Sequence, residues 1–129
     1  MLRGIRGAIQ VEDNTGEDIL KASIVLMQRL IEANKVQAKN VSAVFFTVTS
    51  DLNAAFPAEV RKHLGWNSVP FLCSQEIPVP ESMQKILRVL VLFETSLEQD
   101  EIRHQYLGAA AVLRPDLESA STREGGSKK

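Results

Sequence analysis

Ile86-Leu87-Arg88-Val89-Leu90-Val91-Leu92-Phe93 is apolar at every position but one. Taken as a β-strand of period two, it sets Ile86, Arg88, Leu90 and Leu92 on one face and Leu87, Val89, Val91 and Phe93 on the other. Neither face is polar, which is the pattern of a strand inside a sheet rather than at its edge. Arg88 is the anomaly. A guanidinium in such a run loses hydration and needs an anion beside it, supplied by the protein or by a ligand.

Working outward, Val69-Pro70-Phe71-Leu72-Cys73 predicts a further strand, extendable through Ser74-Gln75-Glu76, and Ile77-Pro78-Val79-Pro80 must interrupt regular structure. Glu76 therefore stands at a strand end beside a proline-stiffened loop, a placement that favours function. A short helical turn over 81–85 is expected to lead into the Ile86 strand. Residues 42–50 are β-branched and aromatic, and read as a strand. After a turn at Asp51-Leu52-Asn53, residues 56–65 suit a short helix with Pro57 at its first position and Gly65 just past its end. Taken alone, Arg61 and Lys62 on that helix read as a solvated charge pair.

Residues 2–11 predict the first strand, with Arg6 on the face that also carries Gly4 and Ala8. Gly7 points to close approach by a backbone or ligand, as does Gly4. Thr15 suits a helix N-cap, with Asp18 three residues on. The helix that follows carries an apolar stripe of Leu20, Ile24, Met27, Leu30 and Ile31 and ends near Asn34-Lys35. Residues 99–113 fit helix or strand equally well by periodicity. Residues beyond Ser119 are small, polar and charged, which predicts disorder.

The 129 residues are 44% hydrophobic and 24% charged, enough for a single core without metals or disulfides. A net charge of -1 gives no reason to expect nucleic acid or an anionic membrane as partner. Cys73 is the single cysteine, which excludes an intrachain disulfide and suits a reducing compartment. No apolar h-region or membrane-length stretch is present, so a cytoplasmic setting is expected.

Glycine-rich phosphate loops, nucleotide fingerprints and zinc spacings are absent from the sequence. His63 and His104 lack companions at ligand spacing, so metal binding is not expected. Cys73 reads as a small buried hydrophobe more readily than as a nucleophile. What remains is a set of arginines in or near apolar strands plus one strand-end glutamate. Arginine's planar fork grips carboxylates bidentately and stays charged when partly buried. Such a set suits a small polyanion and a reaction that needs shape and electrostatics rather than proton shuttling.

Six ordered blocks carry a resemblance: Arg3-Gly4-Ile5-Arg6-Gly7-Ala8, Asp51-Leu52-Asn53-Ala54-Ala55-Phe56-Pro57-Ala58, Val69-Pro70 through Glu76, Ile86-Leu87-Arg88-Val89, Ile102-Arg103-His104-Gln105-Tyr106-Leu107 and Leu113-Arg114-Pro115-Asp116-Leu117. Together they resemble the monofunctional AroH-class chorismate mutases, in order from Leu2 to about Leu117. The resemblance implies an α/β (α+β mixed sheet) domain over 1–117, about five strands packed on one long helix, with 118–129 as a flexible tail. It further implies a homotrimer with a barrel-like core of sheets and active sites between subunits. The implied reaction is a cofactor-free Claisen rearrangement of chorismate to prephenate.

Carried over by residue, Arg6 would bind a substrate carboxylate. Arg88 would donate to the ether oxygen, and Glu76 and Cys73 would meet the ring hydroxyl. Phe56 and Ala58 would form a wall, Tyr106 would contact the pyruvyl side, and Leu113 with Arg114 would close the site. The family's basic residue in the short helix falls on Arg61 or Lys62, and counting back from Gly65 favours Lys62. Cys73 and Glu76 are three apart, so an unbroken strand would face them oppositely. A bulge or bend at Ser74-Gln75 is therefore expected, to turn both inward. Two alternatives stand beside this reading: a trimeric imino-acid deaminase-like enzyme, and a non-catalytic binder of a small dicarboxylate.

Overall fold

The computed structural model describes residues 1–113. In chain order these form β1 (Leu2–Gln10), α1 (Gly16–Asn34), β2 (Val41–Val48), α2 (Val60–Leu64), β3 (Phe71–Gln75), β4 (Ile86–Glu94) and β5 (Gln105–Tyr106), joined through short 3-10 turns. The five strands make one mixed sheet in the order β3-β2-β4-β1-β5. The apolar run that opened the sequence is the central strand. It pairs antiparallel with β1 on one side and β2 on the other, while β2–β3 and β1–β5 are parallel.

The period of two in β4 separates two environments. Leu87, Val89, Val91 and Phe93 are buried in the main core with Ile5, Val44 and Phe46 from the flanking strands, under α1. Each such side chain fully withdrawn from water contributes about 1.5–3 kcal/mol. The opposite face is covered differently along its length. At one end Ala8, Ile86, Tyr106 and Ala110 form a second, smaller cluster. Further along, Leu2, Leu72 and Leu90 stay 47%, 59% and 37% exposed.

Thr15 caps α1 as expected, its hydroxyl accepting the Asp18 N–H at 3.0 Å, and Lys35 ends the helix in a left-handed conformation. The buried stripe, however, is Ile19, Ala22, Ser23, Leu26, Met27 and Leu30. The expected Leu20, Ile24 and Ile31 only flank the core, so the helix is rolled toward its small residues. Leu26 of this stripe seats on Gly7. A Cβ there would sit 2.9 Å from the Gln105 carbonyl oxygen, 3.1 Å from Leu26 Cδ1 and 3.3 Å from Val89 Cγ1. The close approach predicted from the sequence is thus made by backbone and helix.

Two local expectations are corrected. Residues 81–85 form no helix, because Glu81 and Lys85 both take positive φ (68° and 57°), which a right-handed helix cannot contain. The ambiguous stretch 99–113 resolves into two 3-10 turns, Gln99–Glu101 and Gly108–Leu113, flanking the two-residue β5. Among the described residues, no helix is long and apolar enough to cross a membrane. The expected boundary at 117 and the tail at 118–129 lie outside the described residues.

Candidate active site

Arg88 lies opposite Ala8 on β1 and Thr47 on β2, so small side chains flank it on both sides. Arg6 is opposite Leu90, which makes it the diagonal neighbour of Arg88 on the same face, roughly 7–8 Å away along the sheet. The Arg6 side chain is exposed and makes no ion pair among the described residues, while its backbone N–H donates to His104 Nδ1 at 2.9 Å. Two cations thus share one face of adjacent strands.

Glu76 supplies the anion that the Arg88 strand required. Its N–H donates to the Val48 carbonyl at 2.8 Å, carrying the β2–β3 ladder one residue beyond Gln75. The carboxylate then lies across β2, with Oε2 3.0 Å from Arg88 Nε; the two side chains are 34% (Arg88) and 24% (Glu76) exposed. Nε is fully buried, yet its N–H is not aimed at that oxygen. The contact is an ion pair of charge rather than a directed hydrogen bond. The directed bond to Glu76 Oε2 comes from the Thr47 hydroxyl. Glu76 Oε1 and the terminal nitrogens of Arg88 keep no partner among the described residues.

Cys73 is elsewhere. The β2–β3 register runs without a shift from Phe71 through Gln75, so the expected bulge at Ser74-Gln75 does not exist. Regular alternation places Cys73 on the helix side, half-buried against the main core, and Glu76 on the other side with Thr47 and Arg88. Burial pushes the Cys73 thiol up from its ordinary value, against a weaker opposing pull from a hydrogen bond with the Ala58 backbone. β3 packs against the 3-10 turn Pro57–Glu59, which leads into α2.

Phe56, just before that turn, is 70% exposed. Its loop is held from across the chain: Asn14 Oδ1 accepts the N–H groups of Asn53 and Ala54, both at 3.0 Å. Of the two basic candidates on α2, Lys62 is engaged with Glu59 at 3.0 Å, and its ammonium holds the Glu59 carboxyl below its ordinary 4.5. Arg61 is half-buried and makes no ion pair among the described residues.

The sequence-derived site residues therefore fall into two groups within one chain. Arg6, Glu76 and Arg88 share the open sheet face, with Tyr106 buried nearby beside Ala8 and Leu113 packed on the same small cluster. Cys73 lies on the helix side of β3, where the Pro57–Glu59 turn and α2, the segment that carries Phe56, Ala58, Arg61 and Lys62, pack against α1. Arg114 lies outside the described residues. A separate groove of about 850 Å³ runs between Val25 and Arg29 of α1 and the Gly108–Leu113 turn, and of these residues only Tyr106 reaches its wall.

Sequence reasoning missed Thr47 and the supports at the start of β4. Asp51 accepts the Thr49 hydroxyl at 2.5 Å and the Lys85 N–H at 3.0 Å, and Thr49 accepts the Ile86 N–H at 3.0 Å. These bonds fix the left-handed Lys85 from which β4 runs to Arg88. The signal was the alternation of Thr47, Thr49 and Asp51 at and just beyond the end of β2, but only the β2–β4 pairing gives it meaning.

A family model described as chorismate mutase type I matches residues 2–117. A chorismate mutase AroH from Thermus thermophilus is 50% identical over 121 residues, spanning 93% of this chain and 99% of that protein. One from Bacillus subtilis (strain 168) is 44% identical over 118 residues, spanning 91% and 93%. The solved structure of a chorismate mutase from Clostridium thermocellum superposes with a TM-score of 0.83 at 38% identity, covering 84% of this chain and 97% of that one. The family match spans all five strands of the sheet, and the chain belongs to the type I chorismate mutase family.

Proposed function

We propose that the chain rearranges chorismate to prephenate, without cofactor, in a cleft completed by a neighbouring copy of itself. The observation that carries this reading is the open-face group in which Arg88 is anchored by Glu76 at 3.0 Å while its terminal nitrogens stay free beside Arg6. Chorismate is a dianion with an ether bridge and a ring hydroxyl, and these free ends match it. Arg6 takes a carboxylate, Arg88 the ether oxygen and the adjacent carboxylate, and Glu76 Oε1 accepts from the ring hydroxyl.

In a Claisen rearrangement, C–O cleavage runs ahead of C–C bond formation and leaves negative charge on the ether oxygen. A fixed guanidinium at that atom stabilises the transition state more than the ground state. Holding the enolpyruvyl side chain over the ring supplies an entropic part. No proton needs to move, which suits a site whose charged groups are two arginines and one carboxylate.

The shared cleft follows from the two groups of residues. Within one chain, Cys73, Ala58 and Arg61 lie on the far side of the sheet from Arg88, so a wall containing Phe56 and Ala58 has to come from another copy. The exposed row Leu72, Leu90 and Leu2 offers the contact area, and three copies closing such sheets around an axis give the barrel-like core. The engagement of Lys62 by Glu59 favours Arg61 as the α2 cation in the cleft. The reaction is set in the cytoplasm, in keeping with the lone cysteine.

The test is purified protein incubated with chorismate. Loss of chorismate with formation of prephenate by a trimer supports the reading, and a folded protein with no turnover above background defeats it. Mixing Arg88→Ala chains with Arg61→Ala chains under exchange should restore part of the activity, because one cleft of a mixed assembly then holds both residues. Absence of any recovery in verified mixed trimers would reject the shared cleft.

A further inference from the structure

We infer that Thr47 is a positioning residue for this reaction, holding the Glu76 carboxylate so that one oxygen supports Arg88 and the other faces the ring hydroxyl of the substrate. The inference rests on the proposed roles of Glu76 and Arg88. Glu76 stands one residue past the end of β3, before the irregular stretch 77–80, so its backbone is tied to Val48 but no continuing strand braces its side chain. The ion pair to Arg88 supplies charge at 3.0 Å but no directed N–H. The hydroxyl of Thr47 is therefore the directed hydrogen bond to this carboxylate among the described residues.

An ionised carboxylate only accepts, so the hydroxyl must donate its proton to Oε2. Oε2 then carries both the Thr47 proton and the Arg88 charge, and Oε1 is left for a ligand. Thr47 suits the task. It lies in mid-strand on β2, paired with Arg88 on one side and Ser74 on the other, and its β-branch restricts χ1. A rigid element thereby fixes a side chain that starts from a strand end. Valine would keep the shape and lose the donor; serine would keep the donor.

The experiment measures steady-state chorismate consumption by Thr47→Val, Thr47→Ala and Thr47→Ser, each alone and combined with Glu76→Ala, with fold and oligomeric state checked by circular dichroism and sedimentation. Loss of a hydrogen bond to a charged group predicts a fall in kcat of roughly tenfold or more for the valine and alanine variants. KM should move far less, and Thr47→Ser should stay within roughly threefold of wild type, because only the donor is at issue. In the Glu76→Ala background, removing the hydroxyl should change kcat by less than about twofold, because the acceptor it holds is gone. The inference is overturned if the hydroxyl-free variants keep wild-type kcat, if serine is as damaging as valine, or if the same fold-loss appears in both backgrounds. Glu76→Ala at the wild-type rate would instead defeat the assignment of Glu76 itself, and the inference with it.

Discussion

Replacing Arg88 separates its catalytic from its structural contribution, because the two have different sizes. In the ground state its Nε meets Glu76 at 3.0 Å, with the side chains 34% and 24% exposed, a partly screened pair. Glu76 keeps the Thr47 hydroxyl when Arg88 is removed, so no bare buried charge is left. The stability loss for Arg88→Ala should therefore be about 1–2 kcal/mol, between the values for surface and buried pairs. The barrier is a different matter. A preorganised donor aimed at developing charge contributes about 3–4 kcal/mol, or roughly 10²–10³ in kcat, and a guanidinium should reach the upper part of that range. Arg88→Lys keeps the charge but not the fork, so it should recover stability without recovering rate. Stopped assays of chorismate loss, beside urea unfolding of the same preparations, give both numbers. If Arg88→Lys or Arg88→Ala ran within about tenfold of the wild-type kcat while folded and assembled, electrostatic stabilisation by Arg88 would be refuted.

Gly7→Ala tests the packing that brings Tyr106 to the site: its Cβ would lie 2.9 Å from the backbone oxygen of Gln105, which cannot yield without moving β5. Urea unfolding should show a loss of about 1–3 kcal/mol, and a change under about 0.5 kcal/mol would show that β1 and β5 are not this close. Asp51 gives the pH dependence. Burial raises its carboxyl, but the bonds from Thr49, from Lys85 and from its own amide together bring it below the ordinary 3.8. A carboxyl lowered on folding adds stability above its unfolded value, and that contribution disappears as pH falls through the folded one. Wild type should accordingly exceed Asp51→Asn in urea midpoint by a constant margin at pH 5–7, narrowing below about pH 3.8. A margin that widens in acid would contradict the assignment.

The central strand was legible because a run of eight residues with one charge admits few placements. The α1 cap and the Gly65 stop were legible because each depends on local chemistry alone. The roll of α1 was not, since Ile19-Leu26-Leu30 and Leu20-Ile24-Ile31 are overlapping apolar stripes on adjoining faces of one helix. The choice is made by tertiary packing, in which Leu26 seats on Gly7 of the neighbouring strand. Thr47 was invisible for a related reason: nothing in its own segment distinguishes a threonine opposite an arginine from a threonine opposite water. The expected bulge at Ser74-Gln75 failed instructively. It came from requiring Cys73 and Glu76 to serve one site from one chain, and the unbroken ladder removes that requirement rather than meeting it.

With Cys73 and Glu76 on opposite faces, the same strand can serve two clefts, one on each side of the sheet edge. On the proposed assembly, each copy then gives Arg6, Arg88 and Glu76 to one cleft and Phe56, Ala58 and Arg61 to the next. The open face is suited to this because it is apolar around its charges: Leu72, Phe45 and Leu90 form a continuous cross-strand row that ends at Arg6. Covering that row is favourable in itself, and it also removes water from the Arg88–Glu76 pair, where a lower local dielectric strengthens the field at the ether oxygen. A lone chain holds the arginine in place but leaves it a third exposed, in a medium that screens it. Burial of the leucines and sharpening of the electrostatics are then one event, so that the residues that hold the copies together are also those that dry the site.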